Sequence, residues 1–187
     1  KGVVAANQHT GLYAAEKHAA NGRIFIGVQE FYSDAAQDLL GCRVNAYYRE
    51  TGEEKHIAYI TPEKNEEVTI SAGELAGTGA DFVIRQSKAA GREEKFNLYA
   101  GVCIIKNGKA VETEQVAECL APKTGSLRLV DNDRDGLYDV VFVESLEYGV
   151  AASVDGYGRE IRLKSAVRPD GKTAGAILDL SAEDCFY

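Results

Sequence analysis

A chain of 187 residues with 45% hydrophobic and 27% charged residues has the composition of an ordinary globular protein, long enough to bury a core as one domain or two small ones. The net charge of -8 argues against a nucleic-acid partner or an anionic membrane surface, both of which need a basic face. No apolar run reaches the length of a membrane-crossing helix, and no signal-peptide pattern is present.

Residues 1–22 are rich in Ala, Gly, Asn and His and show weak periodicity. His9 and His18 are too far apart for a helical metal pair and read as ordinary exposed residues. The chain opens at Lys1 and contains no Met, which suggests a processed protein or an excised segment. Arg23 to Val28 is the first convincing strand. Ser33 to Leu40 predicts a short helix, capped by Ser33 or Asp34 and ended by Gly41. Cys42 to Arg49 alternates as a long strand, Thr51-Gly52 turns, and Lys55 to Ile60 returns as its antiparallel partner. That pairing puts His56 on the solvent side, with Ile57 and Tyr59 on the other. Pro62 stops the strand, Glu67 to Ile70 gives another, and Ser71 to Leu75 reads as one helical turn.

The best boundary is Ala76-Gly77-Thr78-Gly79, dividing lobes 1–78 and 79–187, although two glycines also suit a loop inside a single domain. Asp81 to Arg85 and Glu93 to Leu98 read as strands around Ala90-Gly91. Val102 to Lys106 meets Lys109 to Val111 through Asn107-Gly108, a strong hairpin signal. Thr113 to Leu120 fits a helix capped by Thr113. Later strands are Leu127 to Val130, Val140 to Val143, Tyr148 to Val154, Arg159 to Leu163 and Ala176 to Leu180, with turns at Asp155-Gly156 and Pro169-Asp170-Gly171. Such spacing predicts a mainly β fold, with antiparallel hairpins forming one or two small β-barrel or sandwich-like lobes and a few short helices.

The most specific chemistry lies between two of those strands, in Asp131-Asn132-Asp133-Arg134-Asp135-Gly136-Leu137-Tyr138-Asp139. Four carboxylates crowd into nine residues with only Arg134 to offset them, a costly arrangement unless a cation sits among them. Asp-x-Asp-x-Asp-Gly is the spacing that wraps oxygens around calcium. Asp131, Asp133 and Asp135 would supply side chains, Gly136 the sharp turn, Leu137 its carbonyl, and Asp139 would close the shell directly or through water. The twelfth position is Phe142 rather than Glu, and the flanks are strands, so the loop is not an EF-hand. The plainer alternative is an acidic, solvated hairpin turn.

Cys42, Cys103, Cys119 and Cys185 form no Cys-x-x-Cys pair, which disfavours zinc and thioredoxin-like chemistry. They read as small buried apolar residues, although an even count also permits two disulfides. Gly-x-Ser-x-Gly, the phosphate-binding Gly-x-x-x-x-Gly-Lys-Ser/Thr and His-Glu-x-x-His are absent, and no carboxylate outside the loop stands out, so no enzyme is expected.

The order Leu39-Leu40-Gly41-Cys42-Arg43-Val44-Asn45-Ala46-Tyr47-Tyr48, then Asn107-Gly108-Lys109-Ala110-Val111, then Gly125-Ser126 leading to the acidic loop and Asp139-Val140-Val141-Phe142-Val143, resembles large, mostly uncharacterised Gram-positive surface proteins that often end in S-layer homology repeats. The likeness spans roughly residues 24–155. It implies a β-rich extracytoplasmic segment without a known catalytic residue, joined to neighbouring domains of a longer chain and, through them, to a cell-wall polymer or glycan. The acidic loop alone is also similar to the calcium loops of integrin-type β-propeller repeats, but one copy does not make a propeller. The function expected is a non-catalytic, calcium-stabilised structural module of an extracellular or cell-surface protein. Two alternatives stand beside it. One is a glycan-binding accessory module of a secreted hydrolase, using Tyr47, Tyr48 or Tyr157 against sugar faces. The other is a phage or viral structural protein.

Overall fold

The computed structural model describes residues 1–13, 18–33, 36–87, 91–111, 116–146, 150–155, 160–164, 166–167, 173–174 and 177–179. Two compact units, 1–146 and 147–187, divide the chain. The fold is mainly β, as expected, and among the described residues no helix is long and apolar enough to cross a membrane.

The first unit begins with five strands: β1 (Gly2–Ala6), β2 (Arg23–Ile26), β3 (Gln29–Tyr32), β4 (Arg43–Thr51) and β5 (Glu54–Pro62). They close into a small barrel in the order β1-β2-β3-β5-β4. Most pairs are antiparallel, but β3 meets β5 in parallel at Tyr32 and His56. The helix expected over 33–40 is a single 3₁₀ turn, Gln37–Leu39, and Asp34, one of its two proposed caps, lies outside the described residues. Residues 2–6, which carry too little periodicity to read as a strand, pair with both β2 and β4. Tertiary pairing overrides their weak local preference.

Seven further strands follow: β6 (Glu66–Ser71), β7 (Leu75–Thr78), β8 (Phe82–Ser87), β9 (Arg92–Lys106), β10 (Lys109–Val111), β11 (Gly125–Asp131) and β12 (Tyr138–Ser145). They form one sheet ordered β6-β11-β12-β9-β8-β7, with β10 paired to β9. The helical turn expected after β6 is a 3₁₀ turn, Ala72–Glu74, whose Glu74 carboxylate accepts from the Ser71 N–H at 3.3 Å and the Ser71 hydroxyl at 2.8 Å. The Ala76 to Gly79 stretch lies in and beside the β7–β8 hairpin, so positions 78 and 79 fall inside the first unit. Asn107 and Gly108 take φ of 48° and 80°, as a two-residue primed turn requires. The second helix is a short α1 (Val116–Cys119); Thr113, its expected cap, lies outside the described residues.

β11 and β12 sit inside this sheet with both faces covered. Leu127, Leu129, Val141 and Val143 face one core, with Ile70, Ile104 and Leu120. Val130 and Val140 face a second core, with Val4, Ile24, Cys42 and Val44 of the barrel region. A strand buried on both faces reads as a continuous apolar run instead of an alternating one, which is the pattern flanking the acidic loop.

One pairing corrects the expected faces. Along β4–β5, Tyr47 opposes Tyr59 and Tyr48 opposes Ile57, leaving Ala58 as a bulged residue. The extra residue turns Ile57 and Ile60 toward the core while Tyr59 points to solvent, 62% exposed. His56 stacks on Tyr32 at 4.6 Å.

The second unit pairs β13 (Val150–Val154) with β14 (Glu160–Lys164), and β14 with β17 (Ile177–Asp179); β15 (Ala166–Val167) pairs β16 (Thr173–Ala174). Tyr157, Cys185 and the Pro169-Asp170-Gly171 turn lie outside the described residues.

Candidate metal centre

The nine residues from Asp131 to Asp139 bridge β11 and β12, and their first carboxylate is the most deeply held. Asp131 is buried at the end of β11. A buried carboxylate must be met by donors or a cation, and here the loop backbone turns to meet it. Asp131 Oδ1 accepts from the N–H groups of Asp133 at 3.3 Å and Arg134 at 2.5 Å, and Oδ2 accepts from the Gly136 N–H at 3.0 Å. Closing the backbone around one side chain forces left-handed conformations, φ 66° at Arg134 and φ 88° at Gly136. A Cβ at Gly136 would meet nothing within 4 Å, so the glycine serves conformation, not space.

The other acids continue the wrapping. Asp133 Oδ1 accepts from the Asp135 N–H at 3.2 Å, Asp135 Oδ1 from the Leu137 N–H at 2.8 Å, and Asp139 Oδ2 from the Asn132 N–H at 2.9 Å. These are the side-chain turns that Asp favours. A carboxylate offers about four lone-pair sites, so Asp133 and Asp139 keep most of theirs and Asp131 keeps one.

Asp131, Asp133 and Asp139 each bring an oxygen to within 4.8 Å of the others, and this cluster can hold a metal ion. Burial, with the neighbouring Asp133, Asp131 and Asp135 charges adding to it, pushes the Asp139 carboxyl above its ordinary range against the opposing Asn132 N–H bond. A cation removes that repulsion. Of the five expected ligands, the structure thus gathers three. Asp135 stays exposed outside the group, and Leu137 is half-buried with its N–H held by Asp135.

Two residues escape sequence reading. Asn132 is buried in the loop, and its carbonyl accepts from Arg43 Nε at 2.9 Å. Arg43 lies on β4, 89 residues away in sequence, so no local pattern points to it. It ties the loop to the barrel.

No family model, curated protein or solved structure matches the chain.

The cysteines behave as small apolar residues where they are described. Cys42, Cys103 and Cys119 are all buried. Burial, followed by the nearby Glu67 carboxylate, pushes the Cys42 thiol up to about 11, which keeps it protonated near neutral pH.

Proposed function

We propose that the chain is a non-catalytic, calcium-stabilised structural module of a multidomain extracytoplasmic or cell-surface protein. The convergence of Asp131, Asp133 and Asp139 oxygens within 4.8 Å supports this reading most directly. An all-carboxylate set selects a hard cation over zinc or copper. Calcium bonds of about 2.3–2.6 Å span such a group, and calcium accepts the irregular geometry that a wrapped loop offers, whereas magnesium demands a near-ideal octahedron. Extracellular calcium modules bind at about 10⁻⁴–10⁻³ M, the range expected of this loop in a surface protein. The likeness to Gram-positive surface proteins points the same way, with neighbouring domains of a longer chain as partners.

The ion's role in this reading is to fix the β11–β12 hairpin and, through Arg43 and Asn132, its junction with the barrel. Thermal unfolding in calcium, magnesium and chelator tests it. Calcium at 100-fold excess over Kd should add about 2.7 kcal/mol of stability, and Asp133→Ala should abolish the response. Equal melting temperatures in calcium and chelator, unchanged by Asp133→Ala, would sink the proposal.

A further inference from the structure

The outward side of the β4–β5 hairpin carries an aromatic pair that the core does not use. Tyr47 and Tyr59 are direct cross-strand partners, each 62% exposed, with ring centroids 6.2 Å apart and planes tilted by 35°. The next pair on the same face is Asn45 with Thr61, about 7 Å along the strands. Asn45 in turn lines a cavity of about 800 Å³ shared with Arg43, Lys64, Asn132, Asp133 and Arg134. Rings, amide and cavity form one continuous surface.

The charges of that cavity divide by their partners. Arg43 is held by the Asn132 carbonyl, Glu63 on the rim pairs with Lys1, and Asp133 belongs to the acidic cluster that a cation would offset. Lys64 and Arg134 have no ion-pair partner among the described residues. On a chain of net charge -8, two unpaired cations facing one cavity are a local inversion of sign that attracts an anion.

We propose that this surface binds an acidic oligosaccharide. Tyr47 and Tyr59 stack on the C–H faces of successive sugar rings, Asn45 hydrogen-bonds a hydroxyl, and Lys64 with Arg134 receives a uronate carboxylate. The proposal draws on the calcium reading only for the neutralised charge of Asp133. Its test is calorimetric titration of the full chain, with calcium in excess, by a hyaluronan tetrasaccharide and by tetragalacturonate, with cellotetraose as the neutral comparator. At least one acidic probe should bind at least about tenfold more tightly than cellotetraose and weaken as salt rises. Tyr47→Ala with Tyr59→Ala should weaken it about tenfold, and Lys64→Ala with Arg134→Ala should erase the preference for acid. Both double variants should unfold in urea in one cooperative transition, as the native chain does, which shows that they fold. Equal binding of neutral and acidic sugars, no binding of either acidic probe at millimolar concentration, or full affinity in the tyrosine variant would each overturn the proposal. Acidic-sugar binding by a protein that shows no calcium shift would support this site and overturn the calcium reading alone.

Discussion

The two long hairpins β4–β5 and β11–β12 close by opposite means. The first pairs Thr51 with Glu54 across two residues, and Gly52 at φ 65° occupies the first central position that such a turn reserves for glycine. Backbone geometry alone completes it, and its tip stands in water. The second hairpin spans residues 132–137 between Asp131 and Tyr138, and its strands are buried between two cores. Its loop has no repeating backbone pattern; carboxylates take the amide hydrogens instead. A tight turn needs one residue of the right conformational freedom. A long loop needs every donor met, and three of the acids gathered there form a cluster that can hold a cation.

Substitution measures that difference. Asp131→Ala removes the acceptor of three backbone N–H groups in a buried setting, and should cost about 3 kcal/mol in urea unfolding even in chelator. Gly52→Ala forces a Cβ into a left-handed position but meets no neighbour within 4 Å, and should cost about 1 kcal/mol. If the two losses are equal, the loop is no more specified than a turn, and the contrast fails.

What the sequence makes legible follows the same line. The acidic loop and the Asn107-Gly108 turn are local signals, and both hairpins form where their residues predict. The apolar runs beside the loop mark strands buried on two faces. The features that escape are long-range or depend on one residue of register. Ala58 is an unremarkable alanine until its bulge sends Tyr59 outward. β9 runs unbroken through Ala100 and Gly101, where composition suggests a break, because its first half pairs β8 and its second half pairs β12 in parallel. Parallel partners carry no turn between them to announce the pairing. Arg43 meets Asn132 only because the barrel lies against the loop.

The smallest expected effect concerns pH, where carboxylates of the two hairpins move in opposite directions. At the start of β5, a hydrogen bond from the Tyr32 hydroxyl, followed by one from His56, holds Glu54 below its ordinary 4.5. Its contribution to stability is present above 4.5 and is lost as pH falls through the lowered folded value. Asp139 behaves inversely in chelator. Burial and its acidic neighbours raise its pKa above the ordinary 3.8, so the folded state binds a proton where the unfolded chain has released it. On that account stability falls as pH rises from 3.8 through the raised value, and the loss persists at neutral pH. Asp139→Asn keeps an oxygen to accept from the Asn132 N–H but carries no charge. In chelator it should therefore be more stable than the native protein at neutral pH, with the difference shrinking as pH falls toward 3.8. Saturating calcium should reverse the order, because only the ionised carboxylate serves the cation. Urea midpoints of both proteins across that range, with and without calcium, decide the matter. A variant less stable than the native chain in chelator at neutral pH would show that the ionised Asp139 stabilises the loop, as the hydrogen-bonded Glu54 carboxylate stabilises its corner of the barrel.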